Sequence, residues 1–131
     1  MPNQEEFTSI TTQEIAVKYP YTLVYSVKND SEKWIEISGV SGNSIDLNDF
    51  MPKAIVRSLV KGEMVLDADY DTNYKKVVIV HSTELSIING TINYVEEINL
   101  IDCPKFTKIG PKLVPYIKRM KYDGQSVKIV S

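Results

Sequence analysis

The stretch VVIVHSTELSIINGTINYVEEINLI, Val77 to Ile101, decides how this chain is read. Two apolar alternating segments flank Asn89-Gly90, and Asn-Gly is the strongest short-range hairpin signal because a type I′ turn needs φ > 0 at both central residues. A two-residue loop pairs Ile88 with Thr91. It then sets Ile87 against Ile92, Leu85 against Tyr94, Thr83 against Glu96, His81 against Ile98 and Ile79 against Leu100. One face carries Ile79, Leu85, Ile87, Ile92, Tyr94, Ile98 and Leu100, and the other Ser82, Glu84, Ser86, Asn93, Glu97 and Asn99.

Working outward, Met64 to Tyr70 alternates with Met64, Leu66, Ala68 and Tyr70 on one face, so it joins the central hairpin as a meander. Nearer the N-terminus, Thr22 to Val27 (Leu23, Tyr25 and Val27 inward) and Lys33 to Ser38 (Ile35 and Ile37 opposite Trp34) form a first hairpin around Asn29-Asp30-Ser31. Three short helices complete the pattern. One opens at Thr11 or Thr12 and ends before Pro20. A second runs from Asn48 or Asp49 to Gly62 with Pro52 in its first turn, and a third spans Tyr116 to Tyr122 after Pro115. Ser126 to Val130 is a last strand. The expected fold is α+β: a mainly antiparallel, twisted sheet of six or seven strands with the three helices packed on it. No internal repeat is apparent.

The 131 residues fit one domain, with residues 1–9 frayed, and a composition 43% hydrophobic and 24% charged is that of a globular chain. The longest apolar run, Val77 to Val80, is too short to span a bilayer. The N-terminus lacks the basic and apolar regions of a secretory signal, and the single Cys103 forms no internal disulfide, so a cytoplasmic location is expected. Asn89-Gly90-Thr91 matches a glycosylation sequon but reads as the turn. Charge is uneven: seven Lys or Arg from Lys105 onward face Asp123 alone, about +6, leaving about −8 on the first 104 residues of a chain with net charge −2.

Three constellations could carry chemistry. Asp67, Asp69 and Asp71, with Asn73, begin like a calcium loop but lack its glycine and its final glutamate, and on a strand they form a solvated face. His81 and Glu96 become diagonal inward neighbours in the hairpin register, a possible acid/base pair, unless a bulge at Glu96-Glu97 turns the carboxylate to water. Lys105, Lys108, Lys112, Lys118, Arg119 and Lys121, interleaved with Phe106, Tyr116 and Tyr122, could meet an acidic protein, another copy of this chain, nucleic acid or an anionic membrane surface; the plain alternative is a solvated helix face. Cys103 has no feature that would activate it and reads as a buried thiol. No cofactor motif is present. The expected function is a small non-enzymatic protein-interaction module, such as a viral accessory protein, an immunity-type inhibitor or an assembly subunit, using the basic segment.

Overall fold

The computed structural model describes residues 5–29, 31–50, 56–60, 63–66, 76–90 and 95–129. In chain order its elements are β1 (Glu6–Ser9), α1 (Gln13–Lys18), β2 (Leu23–Lys28), β3 (Lys33–Ser38), β4 (Ser44–Asp46), β5 (Val56–Val60), β6 (Glu63–Leu66), β7 (Lys76–Val80), β8 (Ile87–Asn89), β9 (Glu97–Ile101), β10 (Lys108–Ile109), β11 (Arg119–Tyr122) and β12 (Gln125–Val127). Short 3₁₀ turns occur at Leu47–Asp49 and Val114–Tyr116.

The main sheet has seven strands in the order β1-β2-β3-β7-β9-β11-β12, as many as the alternation suggests. It is mixed. The outer pairings β1/β2, β2/β3 and β11/β12 are antiparallel, whereas β3/β7, β7/β9 and β9/β11 are parallel. A second, parallel sheet runs β10-β8-β4. β3, β7 and β9 each lead to a strand of the second sheet and the chain then returns to the main one, so it winds as stacked coils, β3 with β4, β7 with β8 and β9 with β10, while β11 stacks on β9 and turns back into β12.

The winding has a period. His81 and Asp102, Asp102 and Asp123, Glu84 and Lys105, and Ser86 and Thr107 are bonded neighbours 21 residues apart. β9 and β11 pair at a step of 22, Ile98 with Met120. Between the first two coils the step is 42 in the main sheet and at the corner, as in the Val40–Ser82 bond, and 43 from Ile45 to Ile88 in the second sheet. The extra length contains the β5–β6 hairpin, which is a sheet of its own. The repeat was hidden because one coil-length of chain interrupts it and because it conserves only residue character at each place.

Stacking in register makes apolar columns. Ile35, Val77, Ile98 and Met120 form one; Ile37, Ile79 and Leu100 form the next, with Tyr122 at its end. Ile45, Ile88 and Ile109 face them from the second sheet, and nearly all are fully buried. At the corner after the main sheet, Gly39, His81, Asp102 and Asp123 have φ of 73°, 51°, 56° and 47°. His and Asp tolerate this left-handed conformation better than most residues, which accounts for their presence at a repeated sharp bend. Immediately after it comes a buried column, Val40, Ser82 and Cys103. There the Ser82 hydroxyl accepts the Val40 N–H at 3.0 Å.

The parallel arrangement overturns the central hairpin. Val77 pairs with Ile98 and Ile79 with Leu100 in parallel, Asn89 ends a strand of the second sheet, and Gly90 is buried at φ 155°. The two-residue turn with φ > 0 at both positions exists instead at Asp123-Gly124, joining β11 to β12. Of three expected helices only α1 forms, capped by Thr12, whose hydroxyl accepts the Ile15 N–H at 3.2 Å. The second is replaced, where described, by the 3₁₀ turn at Leu47–Asp49 and by β5, whose β-branched Val56 and Val60 suit a strand. The third gives way to β11, because period-two burial of Met120 and Tyr122 against the coil below outweighs local helix propensity. Residues 6–9, expected to fray, form an edge strand.

The first hairpin is as expected, with Asn29 Oδ1 accepting the N–H groups of Ser31 and Glu32, both at 2.9 Å. Its faces differ. Val24 joins Ile35 and Ile37 in the main core, while Leu23, Tyr25 and Val27 share the outward face with Trp34. That face buries a small cluster of its own, Val27, Trp34 and Val78, so alternation could not say which side was inside.

Helix α1 docks through Tyr19, whose ring lies 4.7 Å from that of Phe50. The Tyr19 hydroxyl donates to Asp49 Oδ2 at 2.7 Å and accepts the Asp46 N–H at 3.1 Å. Burial, foremost, pushes this phenol up from 10.0 to about 12. Tyr19→Phe is expected to cost about 1–2 kcal/mol in denaturant melts, since it strips partners from two groups. The folded chain keeps the Tyr19 proton where the unfolded chain has lost it. Its contribution is therefore full below pH 10 and declines as pH rises toward 12; the variant's stability should fall less steeply over that window.

Candidate interaction surface

The sequence-derived acid/base pair does not assemble. His81 sits on the corner column with its side chain 68% exposed and Nδ1 2.9 Å from Asp102 Oδ2. Glu96 is instead 3.9 Å from Lys118 Nζ and 3.7 Å from an Arg119 guanidinium nitrogen, one coil further on. A cleft of about 410 Å³ is lined by Asp46, Asn89, Gly90, Gly110, Pro111 and Lys112, and a smaller one of about 210 Å³ by Glu14, Ile15, Lys18, Tyr19 and Asp49. Neither contains His81. The Asp67, Asp69 and Asp71 run lies outside the described residues, among which no group of three or more His, Cys, Asp or Glu could hold a metal ion. Cys103 is buried as expected, and burial pushes its thiol up, away from reactivity.

The basic segment is largely answered from within the chain. Lys105 Nζ lies 2.9 Å from Glu84, Arg119 Nε 3.4 Å and Lys121 Nζ 3.8 Å from Glu97, and Lys118 pairs with Glu96. Each acid belongs to the preceding coil, so winding sets the positive end of the sequence on its negative middle. Such exposed pairs contribute about 0.2–1 kcal/mol each. Lys108, Lys112 and Lys128 are exposed and have no ion pair among the described residues. Of the aromatics, Phe106 packs against the core, and Tyr122 donates its hydroxyl proton to the Cys103 carbonyl at 2.7 Å, leaving only Tyr116 well exposed.

The outward face of the main sheet offers a different surface. Pairing sets Leu23, Ser38, Val80 and Ile101 in one row across β2, β3, β7 and β9. Four strands at about 4.8 Å spacing make this row roughly 14 Å long. Leu23 is 48% and Ile101 41% exposed, and Tyr21, which leads into the row at φ 66°, is 92% exposed. Toward the sheet centre the row is bordered by Tyr25, Glu36, Val78, Asn99 and Lys121. On its other side runs the corner column of His81, Asp102 and Asp123, where the Asp102 N–H donates to Asp123 Oδ1 at 3.1 Å. An apolar strip rimmed by polar and charged groups is therefore built from four strands. The sequence held one signal for it: Val80 and Ile101, each directly after a buried residue, are apolar where alternation demands a polar side chain.

A scan against protein-family models and searches of curated proteins and of solved structures find no match for this chain. No helix among the described residues is long and apolar enough to cross a membrane.

Proposed function

We propose that this chain is a non-enzymatic protein-docking module that engages its partner along the row Leu23–Ser38–Val80–Ile101, anchored by Tyr21. The observation that carries this reading is the gathering of three exposed large hydrophobics, Tyr21, Leu23 and Ile101, at one rim of the sheet. Exposed aromatic anchors inside a polar border are what binding surfaces use. The stacked-coil architecture supports it too, since solenoids commonly bind through an extended sheet face. The spacing Val95-x-x-Ile98-x-Leu100-x-x-Cys103 follows that of a leucine-rich-repeat strand and its buried turn residue.

Tyr21→Asn removes the ring yet suits the left-handed backbone, and Ile101→Asp charges the row without touching the core. Either is expected to leave the melting temperature unchanged and to weaken the complex by about 2 kcal/mol, the scale of a hot-spot residue. The measurement is the affinity of purified variants for the partner recovered with the wild-type chain, with crosslinks to mark the interface. Unchanged affinity, or a recovered partner with the 260/280 nm absorbance of nucleic acid, would sink the proposal.

A further inference from the structure

We infer that copies of this chain associate head to tail, the free edge of β12 in one copy pairing antiparallel with the free edge of β1 in the next. The contact uses the two ends of the sheet and is independent of the apolar row. Both end strands are exposed along their whole length, and each carries an exposed apolar residue, Phe7 on β1 and Val127 on β12.

The backbone is arranged for such a joint. On β1 the Ile10 N–H bonds to the Val24 carbonyl, so residues of that parity turn toward β2, and Phe7 and Ser9 turn their peptide groups outward. On β12 the residue after the two-residue turn, Gln125, faces Tyr122, so Ser126 and Lys128 turn theirs outward. One row runs unbroken through Ser9, Tyr25, Glu36, Val78, Asn99, Lys121 and Ser126. Continuing it into a second copy brings Ser126 opposite Ser9 and Lys128 opposite Phe7, with outward peptide groups that have no partner among the described residues facing one another. Strand directions agree as well: β1 runs with the parallel strands and β12 against them, so a neighbour in the same orientation meets β12 antiparallel and keeps its buried face on the same side.

Charge selects this pairing over the symmetric ones. The β1 edge carries Glu5 and Glu6, and the β12 edge carries Lys128. In the continued row Lys128 lies diagonal to Glu5, within reach of long side chains. Two β12 edges would bring only positive charge to the joint and two β1 edges only negative, so neither symmetric pairing gains this attraction. Because the contact joins unlike surfaces, it repeats from copy to copy and does not stop at a two-fold dimer.

Sedimentation velocity of the full chain at rising concentration reads the proposal. At low salt the mass is expected to climb past a dimer without a fixed end point, and to fall back at 1 M salt, where screening shortens to about 3 Å. Ser126→Pro removes an outward N–H while leaving the bonds to β11 intact, and should weaken association about tenfold with an unchanged melting temperature. Lys128→Glu alone, or Glu5→Lys with Glu6→Lys, should weaken it by up to about fivefold per exposed pair lost. Combining all three changes in one chain should restore it. A monomer at every concentration, a mass that stops at two, or association indifferent to both Ser126→Pro and the charge exchange would overturn the inference.

Discussion

Gly90→Val is expected to lower the denaturant midpoint by the equivalent of about 2–5 kcal/mol, from strain at a special backbone conformation together with overpacking. Gly90 is buried at φ 155°, and a Cβ placed there would lie 3.3 Å from Leu47 Cβ, 3.5 Å from Leu113 Cδ1 and 3.6 Å from the Leu47 backbone nitrogen. Both neighbours are fully buried leucines from other coils, so they cannot swing into solvent. The informative companion is Gly90→Asn. In an exposed hairpin turn asparagine would be accepted with little loss, because it tolerates left-handed backbone near +57°. At φ 155° against Leu47 it should destabilise nearly as much as valine. An asparagine variant as stable as the parent would return Gly90 to a turn and undo the parallel stacking of β7 and β9.

Leu100→Ala is expected to cost about 2–5 kcal/mol, the range for deleting a fully buried leucine side chain. Leu100 has no exposed surface and sits between Ile79 of the coil before and Tyr122 of the coil after. The cavity would open in the column that joins three coils, where each is stabilised mainly by its neighbours. Ile101→Ala, one residue along and on the outward row, should stay within about 0.5 kcal/mol. Thermal melts of the pair therefore read the face assignment directly. Equal losses would mean that the outward row is covered.

Residues 77–101 suit two registers at once. The antiparallel register from Asn89-Gly90 and the parallel register of the fold both set Ile79 beside Leu100, because the coil length of 21 happens to fit the hairpin's arithmetic at that pair. Period-two alternation is blind to strand direction. The two registers agree at that pair alone: one buries His81 beside Ile98, whereas the other pairs Ile98 with Val77 and turns His81 outward to Asp102. Burying a histidine and Glu96 inside an apolar face carries a desolvation cost that the parallel register avoids.

Residues 105–128 show the same limit in charge. Their excess of cations was legible, but the sequence could not say that Lys105, Lys118, Arg119 and Lys121 would each lie against a glutamate of the preceding coil. What reads there as one basic surface is mostly the outer half of an ion-pair ladder, each cation being more exposed than the glutamate it meets.

By itself the sequence determined a sheet-rich chain, the capped helix at Thr12, the first hairpin with its Asn29 turn, and the inward places of Ile79, Ile98 and Leu100. These follow from interactions within a few residues or from alternation along one strand, which local chemistry sets. The tertiary structure alone decided strand direction, the stacking of coils, the replacement of a helix over Tyr116–Tyr122 by the strand Arg119–Tyr122 and the exposed row ending at Ile101. Those depend on which residues about 20 or about 40 positions apart come to touch, and such contacts gain their energy only when the whole column of buried side chains forms at once.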